Sequence, residues 1–219
     1  MLQPGTIAFL QKLAKNNNKV WFDAHREEYQ QAKKNFEDFT EALISQMKNF
    51  DPSLHDVHAK DCVFRIFKDV RFAKDKVPYK ANFAAAISKN GRKFSGAGYY
   101  IHIEPNGKSM LGGGMYMPEA PQLKALRQEI DYNFKEFKGL LGAAAFKKHF
   151  KGVEGEKLKK PPQGFDAENP AIEYLKMKSL IVMKPLDDAT LSEKAFLKYC
   201  VAAFSAMKPF MDFLNRAQD

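Results

Sequence analysis

The sequence predicts an α+β fold in which a mainly antiparallel sheet, laid out as a meander, packs under helices from the two ends of the chain. Three observations predict it. Apolar residues recur at helical spacing in the first fifty residues and again after Pro118. Between them Gly98–Glu104 alternates polar and apolar residues and runs into Asn106-Gly107, a strong hairpin signal. The chain of 219 residues, 45% hydrophobic and 28% charged, is long enough to bury a core, which predicts one globular domain over 1–219.

In chain order, Pro4–Lys15 reads as a helix with Ile7, Leu10 and Leu13 on one stripe, stopped by Asn16-Asn17-Asn18. Trp21 and Phe22 plug the junction to a long helix that Asp23 is placed to cap. That helix runs to about Phe50, with Tyr29, Phe36, Phe39, Leu43 and Met47 on its inner face, and Pro52 ends it. His25 and Arg26 fall in its first turn, where a cation opposes the helix dipole and needs a carboxylate or an anionic ligand.

Val63–Phe67 reads as a strand, and Asn82–Lys89 as a second. If Asn106-Gly107 is a two-residue turn, Glu104 faces Ser109, His102 faces Leu111 and Tyr100 faces Gly113. Tyr100, His102 and Glu104 then share a polar face, and Tyr99, Ile101 and Ile103 the core face. Gly112-Gly113-Gly114 marks a bulge, a close backbone approach, or floor beneath a larger group. Helices follow from Pro118, with Leu123, Leu126, Ile130 and Arg127, and over Phe137–Phe150. After a loop at Pro161–Asp166, Asn169-Pro170 opens another helix and Ser179–Met183 forms an apolar strand. Thr190 and Glu193 make a capping box for a last helix with the stripe Phe196, Cys200, Phe204, Met207 and Met211, kinked at Pro209.

No apolar run reaches the roughly 18 residues of a membrane span. Cys62 and Cys200 have no metal or CxxC spacing, which predicts buried thiols in a reducing compartment, the cytoplasm. A net charge of +9 admits anionic partners, nucleic acid among them, and does not choose between them.

The charge concentrates between Lys60 and Lys80, where seven basic residues face three acidic ones. Arg65, Asp69, Arg71, Asp75, Lys76, Tyr79 and Lys80 form a polar cluster, which Tyr100, His102, Gly113 and Arg127 are placed to join. Arginine forks suit phosphate or carboxylate, and a glycine run lets backbone N–H groups approach the same anion. These residues predict a pocket for an anionic, phosphorylated small molecule. The competing reading of the same cluster is an ion-pair lattice in which Asp69 and Asp75 neutralise the cations.

The same side chains leave two other classes open. Asp69, Asp75, Glu104, His102, Tyr79 and Tyr100 hold an acid and a base for a hydrolase or transferase, although no nucleophile elbow, Walker loop, HExxH or dinucleotide fingerprint is present. Aromatics interleaved with cations permit stacking on single-stranded nucleic acid, without an RNP-type motif. His55 and His58 with Asp56 and Asp61 have only loose metal spacing, so neither a metal nor a cofactor is expected.

Several quoted pieces together resemble the domain of unknown function (DUF) family 2461. They are Asn17-Asn18-Lys19 with Trp21-Phe22 and Tyr29; Arg65, Asp69-Val70-Arg71-Phe72 and Asp75–Lys80; Gly98-Tyr99-Tyr100; Gly112-Gly113-Gly114 with Pro118; Arg127; and Lys160-Pro161, Gly164-Phe165-Asp166, Pro170 and Lys178. The resemblance implies a single-domain cytosolic protein of a bacterial and fungal family and carries no activity to any residue.

Overall fold

The computed structural model describes residues 1–69, 71 and 76–218. Helix α1 (Pro4–Lys15) opens on proline, whose missing N–H costs nothing there, and buries Thr6, Phe9, Leu10 and Leu13. The Asn18 side chain accepts a hydrogen bond from the Trp21 N–H at 2.9 Å and so caps a short helix, α2 (Lys19–Ala24). Asp23 is therefore not the cap of the long helix. It lies inside α2, where its carboxylate pairs with Lys19 and with Arg26, the latter at 3.1 Å. Helix α3 (Arg26–Met47) follows, and a turn of 3-10 helix at Pro52–Leu54 succeeds it.

Helix α4 (Ala59–Cys62) occupies residues just before the expected strand Val63–Phe67, which forms only isolated bridges, Val63 to Ala85 and Phe67 to Tyr79. Strands β1 (Phe83–Ile87), β2 (Gly98–Ile103) and β3 (Ser109–Met115) then form in order. Helices α5 (Ala120–Tyr132), α6 (Phe134–Gly142) and α7 (Ala144–His149) come next, before the one-turn α8 (Ile172–Leu175). Asn169 accepts from the Ala171 N–H at 2.8 Å, just before that turn.

Strand β4 (Leu180–Leu186) completes an antiparallel sheet ordered β1-β2-β3-β4. Helix α9 (Asp188–Ser192) and helix α10 (Phe196–Arg216) end the chain. The Asp187 carboxylate accepts from the Thr190 N–H at 2.7 Å and caps α9, so Thr190 lies inside that helix and Glu193 at its C-terminal end, and the two do not form the capping box expected for the last helix. The stripe Phe196, Cys200, Phe204, Met207 and Met211 is buried as its spacing requires.

By packing, the chain falls into two units: Met1–Arg92 with Tyr100–Leu111 and Pro185–Val201, and Lys93–Tyr99 with Gly112–Lys184 and Ala202–Asp219. In the first, α1 lies along α3 and α3 lies on β1. Phe36 stacks on Phe83 at 5.5 Å between ring centres, and Phe39 stacks on Phe196 at 5.4 Å. In the second, α10 packs on the sheet through Phe204, 5.2 Å from the Tyr99 ring. Arg216 binds Glu129 and Glu136, tying the end of α10 to α5 and α6. Among the described residues, no helix is long and apolar enough to cross a membrane.

Candidate functional site

The segment from Val63 to Lys80 folds back on itself in the first unit. The Phe64 N–H donates to the Ala84 carbonyl at 2.9 Å, which extends the β1 edge by one pairing. The chain then pairs with its own return: Lys80 N–H to the Ile66 carbonyl at 2.8 Å, and Lys68 N–H to the Pro78 carbonyl at 2.9 Å. Tyr79 anchors the return. Its ring is buried and stacks on Phe22 at 3.9 Å, and the Asn17 side chain clamps its backbone from both sides, accepting from the Tyr79 N–H at 3.1 Å and donating to its carbonyl at 2.9 Å. Stacking and buried apolar area fix this loop to the N-terminal helices. Tyr79 thus holds the loop in place, and Asn17, the other half of the clamp, has no charge or periodicity by which the sequence would reveal that task.

On this anchored loop the cations differ in how they are satisfied. Arg71 forms a two-point pair with Asp69, Nε to Oδ1 at 3.0 Å and Nη2 to Oδ2 at 2.7 Å. That pair, and more weakly the charge of Arg65, holds the Asp69 carboxyl below its ordinary value. Arg65 is exposed, and among the described residues it has no hydrogen-bond or ion-pair partner. Lys80 is half-buried, with its Nζ 5.6 Å from the centre of the Phe64 ring. Burial, and then the charge of Arg65, lowers its pKa. Lys76 is exposed, and Asp75 lies outside the described residues.

The Phe64 ring also meets the edge of Tyr100 at 6.5 Å, which brings the half-exposed face of β2 beside Lys80. Along that face the Tyr100 hydroxyl lies 3.2 Å from His102 Nδ1, and His102 Nε2 lies 3.0 Å from a Glu104 carboxylate oxygen. A carboxylate can only accept, so Nε2 donates to Glu104, while Nδ1 faces the Tyr100 hydroxyl, which can either donate or accept. Lys108 closes the row at 3.2 Å from the other Glu104 oxygen. Tyr100, His102 and Glu104 therefore share the polar face that strict alternation predicts. The arrangement provides a phenol polarised by an imidazole that a carboxylate orients.

Gly113 and Arg127 belong to the second unit. A Cβ on Gly113 would lie 2.2 Å from Met211 Cε and 2.4 Å from Met207 Sδ, so the glycine admits helix α10, which also packs on Tyr99. Gly113 is on the Tyr99 face and not opposite Tyr100, as a two-residue turn would have it. The reason is the loop: residues 104–108 connect β2 to β3, and an odd connection shifts side-chain parity by one. Asn106 and Gly107 do both take positive φ, 68° and 71°, as their sequence predicts. Arg127 donates from Nε to the Leu175 carbonyl at 2.7 Å and from Nη2 to the Met177 carbonyl at 3.4 Å, so it holds the end of α8 and the residues after it against α5.

The two histidines with loose metal spacing are also engaged locally. His55 pairs with Asp56 at 2.9 Å and His58 with Glu41 at 3.1 Å. Among the described residues, no group of three or more His, Cys, Asp or Glu side chains could hold a metal ion.

Fold and site together define an α+β protein with an antiparallel meander and a cationic, aromatic surface on its first unit. The family described as "Conserved hypothetical protein (DUF2461)" matches residues 5–213, and the chain belongs to that family. No curated protein and no solved structure matches it.

Proposed function

We propose that the first unit binds an anionic, phosphorylated small molecule at Arg65 and Lys80, with the Phe64 ring between Lys80 and Tyr100. One observation carries this reading. The Lys80 backbone pairs with Ile66, the residue after Arg65, and among the described residues neither cation makes a salt bridge, although the charge of Arg65 acts on Asp69. Two cations held together at a partly desolvated surface repel each other, and an anion between them removes that cost. Each charge-assisted hydrogen bond to such a ligand contributes roughly 1.5–3 kcal/mol. The Tyr100–His102–Glu104 row favours a second reading, in which the bound compound is turned over by a hydrolase or transferase with His102 as acid–base group. Placement in the cytoplasm is supported by Cys62 and Cys200, both free and buried.

Thermal unfolding with a panel of phosphorylated metabolites and a single-stranded oligonucleotide tests the proposal. Binding to the folded state raises the melting temperature, by an amount set by concentration over Kd. The expected result is stabilisation by particular phosphometabolites in wild type that disappears in Arg65→Gln. Stabilisation by the oligonucleotide alone, lost steeply with salt, would identify a nucleic-acid binder and overturn the reading. His102→Gln separates the two readings of the site: binding persists in the variant, and any turnover is lost.

A further inference from the structure

The second unit carries a cavity that the cationic surface of the first does not use. It measures about 450 Å³ and lies between the α6–α7 corner and helix α10. The corner exists because Ala143 is extended, at φ −60° and ψ 138°, and breaks the helix after Gly142. Phe146 and Phe210, whose rings meet edge-on at 6.1 Å, line it together with Leu140. One and two turns before Phe210 on α10, Ala206 and Ala202 present side chains too short to fill the space. The volume falls within the range typical of small-molecule sites, roughly 300–1,000 Å³.

The rim is positive. Lys148 and His149, in the last turn of α7, line the cavity. Burial first, and then the charges of Lys148 and Lys184, lower the pKa of His149. Among the described residues neither Lys148 nor Lys184 has an ion-pair or hydrogen-bond partner. An apolar hollow with the unpaired Lys148 ammonium at its rim is complementary to a molecule with an apolar body and a single anionic head. A neutral hydrophobe would leave the cation unanswered, and a polyanion would leave the apolar walls in water.

We propose that this cavity binds a free aliphatic carboxylate of medium chain length, its chain against Phe146, Ala206 and Phe210 and its head at Lys148. The inference is independent of the anion site of the first unit. Isothermal titration with octanoate, decanoate and decanol tests it on the intact protein.

Saturable decanoate binding is expected, about tenfold tighter than octanoate because two more methylenes leave water. Decanol, with the same chain and no charge, should bind more weakly. Lys148→Glu, an exposed substitution that leaves the fold intact, should weaken decanoate at least about fivefold through charge reversal at the head. Ala206→Trp should abolish binding by filling the cavity, and if that variant fails to fold, Lys148→Glu and decanol decide the matter. Absence of saturable decanoate binding, equal affinity for decanol, or decanoate binding unchanged by Lys148→Glu would each overturn the proposal. So would sedimentation with phosphatidylglycerol vesicles without uptake of free decanoate, which would make the rim a membrane-contacting surface instead.

Discussion

Replacing Gly114 by alanine places a Cβ 2.1 Å from the Leu180 carbonyl oxygen and 2.9 Å from Ile181 Cα, where ordinary contact begins near 3.4 Å. Both obstacles are backbone atoms of the neighbouring strand β4, so no side chain can rotate out of the way. The residue also sits at φ +122°, a conformation that L side chains rarely adopt. Overpacking contributes roughly 1–3 kcal/mol and the strained backbone about as much again, for a total loss of roughly 2–6 kcal/mol. At about 2–4 °C per kcal/mol for a chain of this size, the melting temperature should fall by roughly 5–20 °C. Differential scanning calorimetry reads this directly. Gly139→Ala is the control: the position is exposed within α6 with nothing inside 4 Å, and removing a helical glycine should stabilise by about 0.5–1 kcal/mol. A Gly114→Ala protein melting within about 2 °C of wild type would refute the close approach of β3 and β4 as the reason for glycine there.

Three further outcomes follow from the same geometry. Lys80 has a native pKa below its ordinary 10.5, so the unfolded chain binds its proton more firmly and stability should rise with pH from the lowered value up to about 10.5; Lys80→Met should flatten that rise in urea unfolding at a series of alkaline pH values, and an unchanged slope would contradict the assignment. Burial pushes the Cys62 thiol up to about 12 and raises that of Cys200 as well, so neither should react with a thiol reagent at mildly alkaline pH until urea unfolds the chain; rapid labelling of native protein would contradict the burial. Arg127→Leu removes the donors to the Leu175 and Met177 carbonyls and should cost about 1–3 kcal/mol in chemical denaturation while leaving phosphate-dependent stabilisation unchanged; loss of that stabilisation in a folded variant would return Arg127 to the site.

The parts of this fold that local chemistry determines are legible in the sequence. Proline at the start of α1, the alternation of β2, the positive-φ pair Asn106-Gly107 and the stripe along α10 all act over a few residues. What resisted reading depends on partners distant in sequence. Val20, Trp21 and Phe22 suit a strand as well as a helix, and only the Asn18 side chain on the Trp21 N–H decides for α2. Val63–Phe67 has strand propensity, but its partners are single residues of β1 and its own return, so a ladder never forms. Gly113 was placed by parity, and parity turned on the length of the connection through residues 104–108. Around the candidate site, charge density located the loop, while the Asn17 clamp on Tyr79 and the Phe64 ring between Lys80 and Tyr100 emerge only from tertiary contacts.

Isothermal titration of wild type and of the Arg65→Gln/Lys80→Met double variant with inorganic pyrophosphate probes the anion site most directly, because it asks whether those two cations act on one ligand. The account predicts saturable binding by wild type and a loss of at least about tenfold in the variant, given charge-assisted bonds of roughly 1.5–3 kcal/mol. Equal affinity of the two proteins, or no saturable binding to wild type, would contradict it.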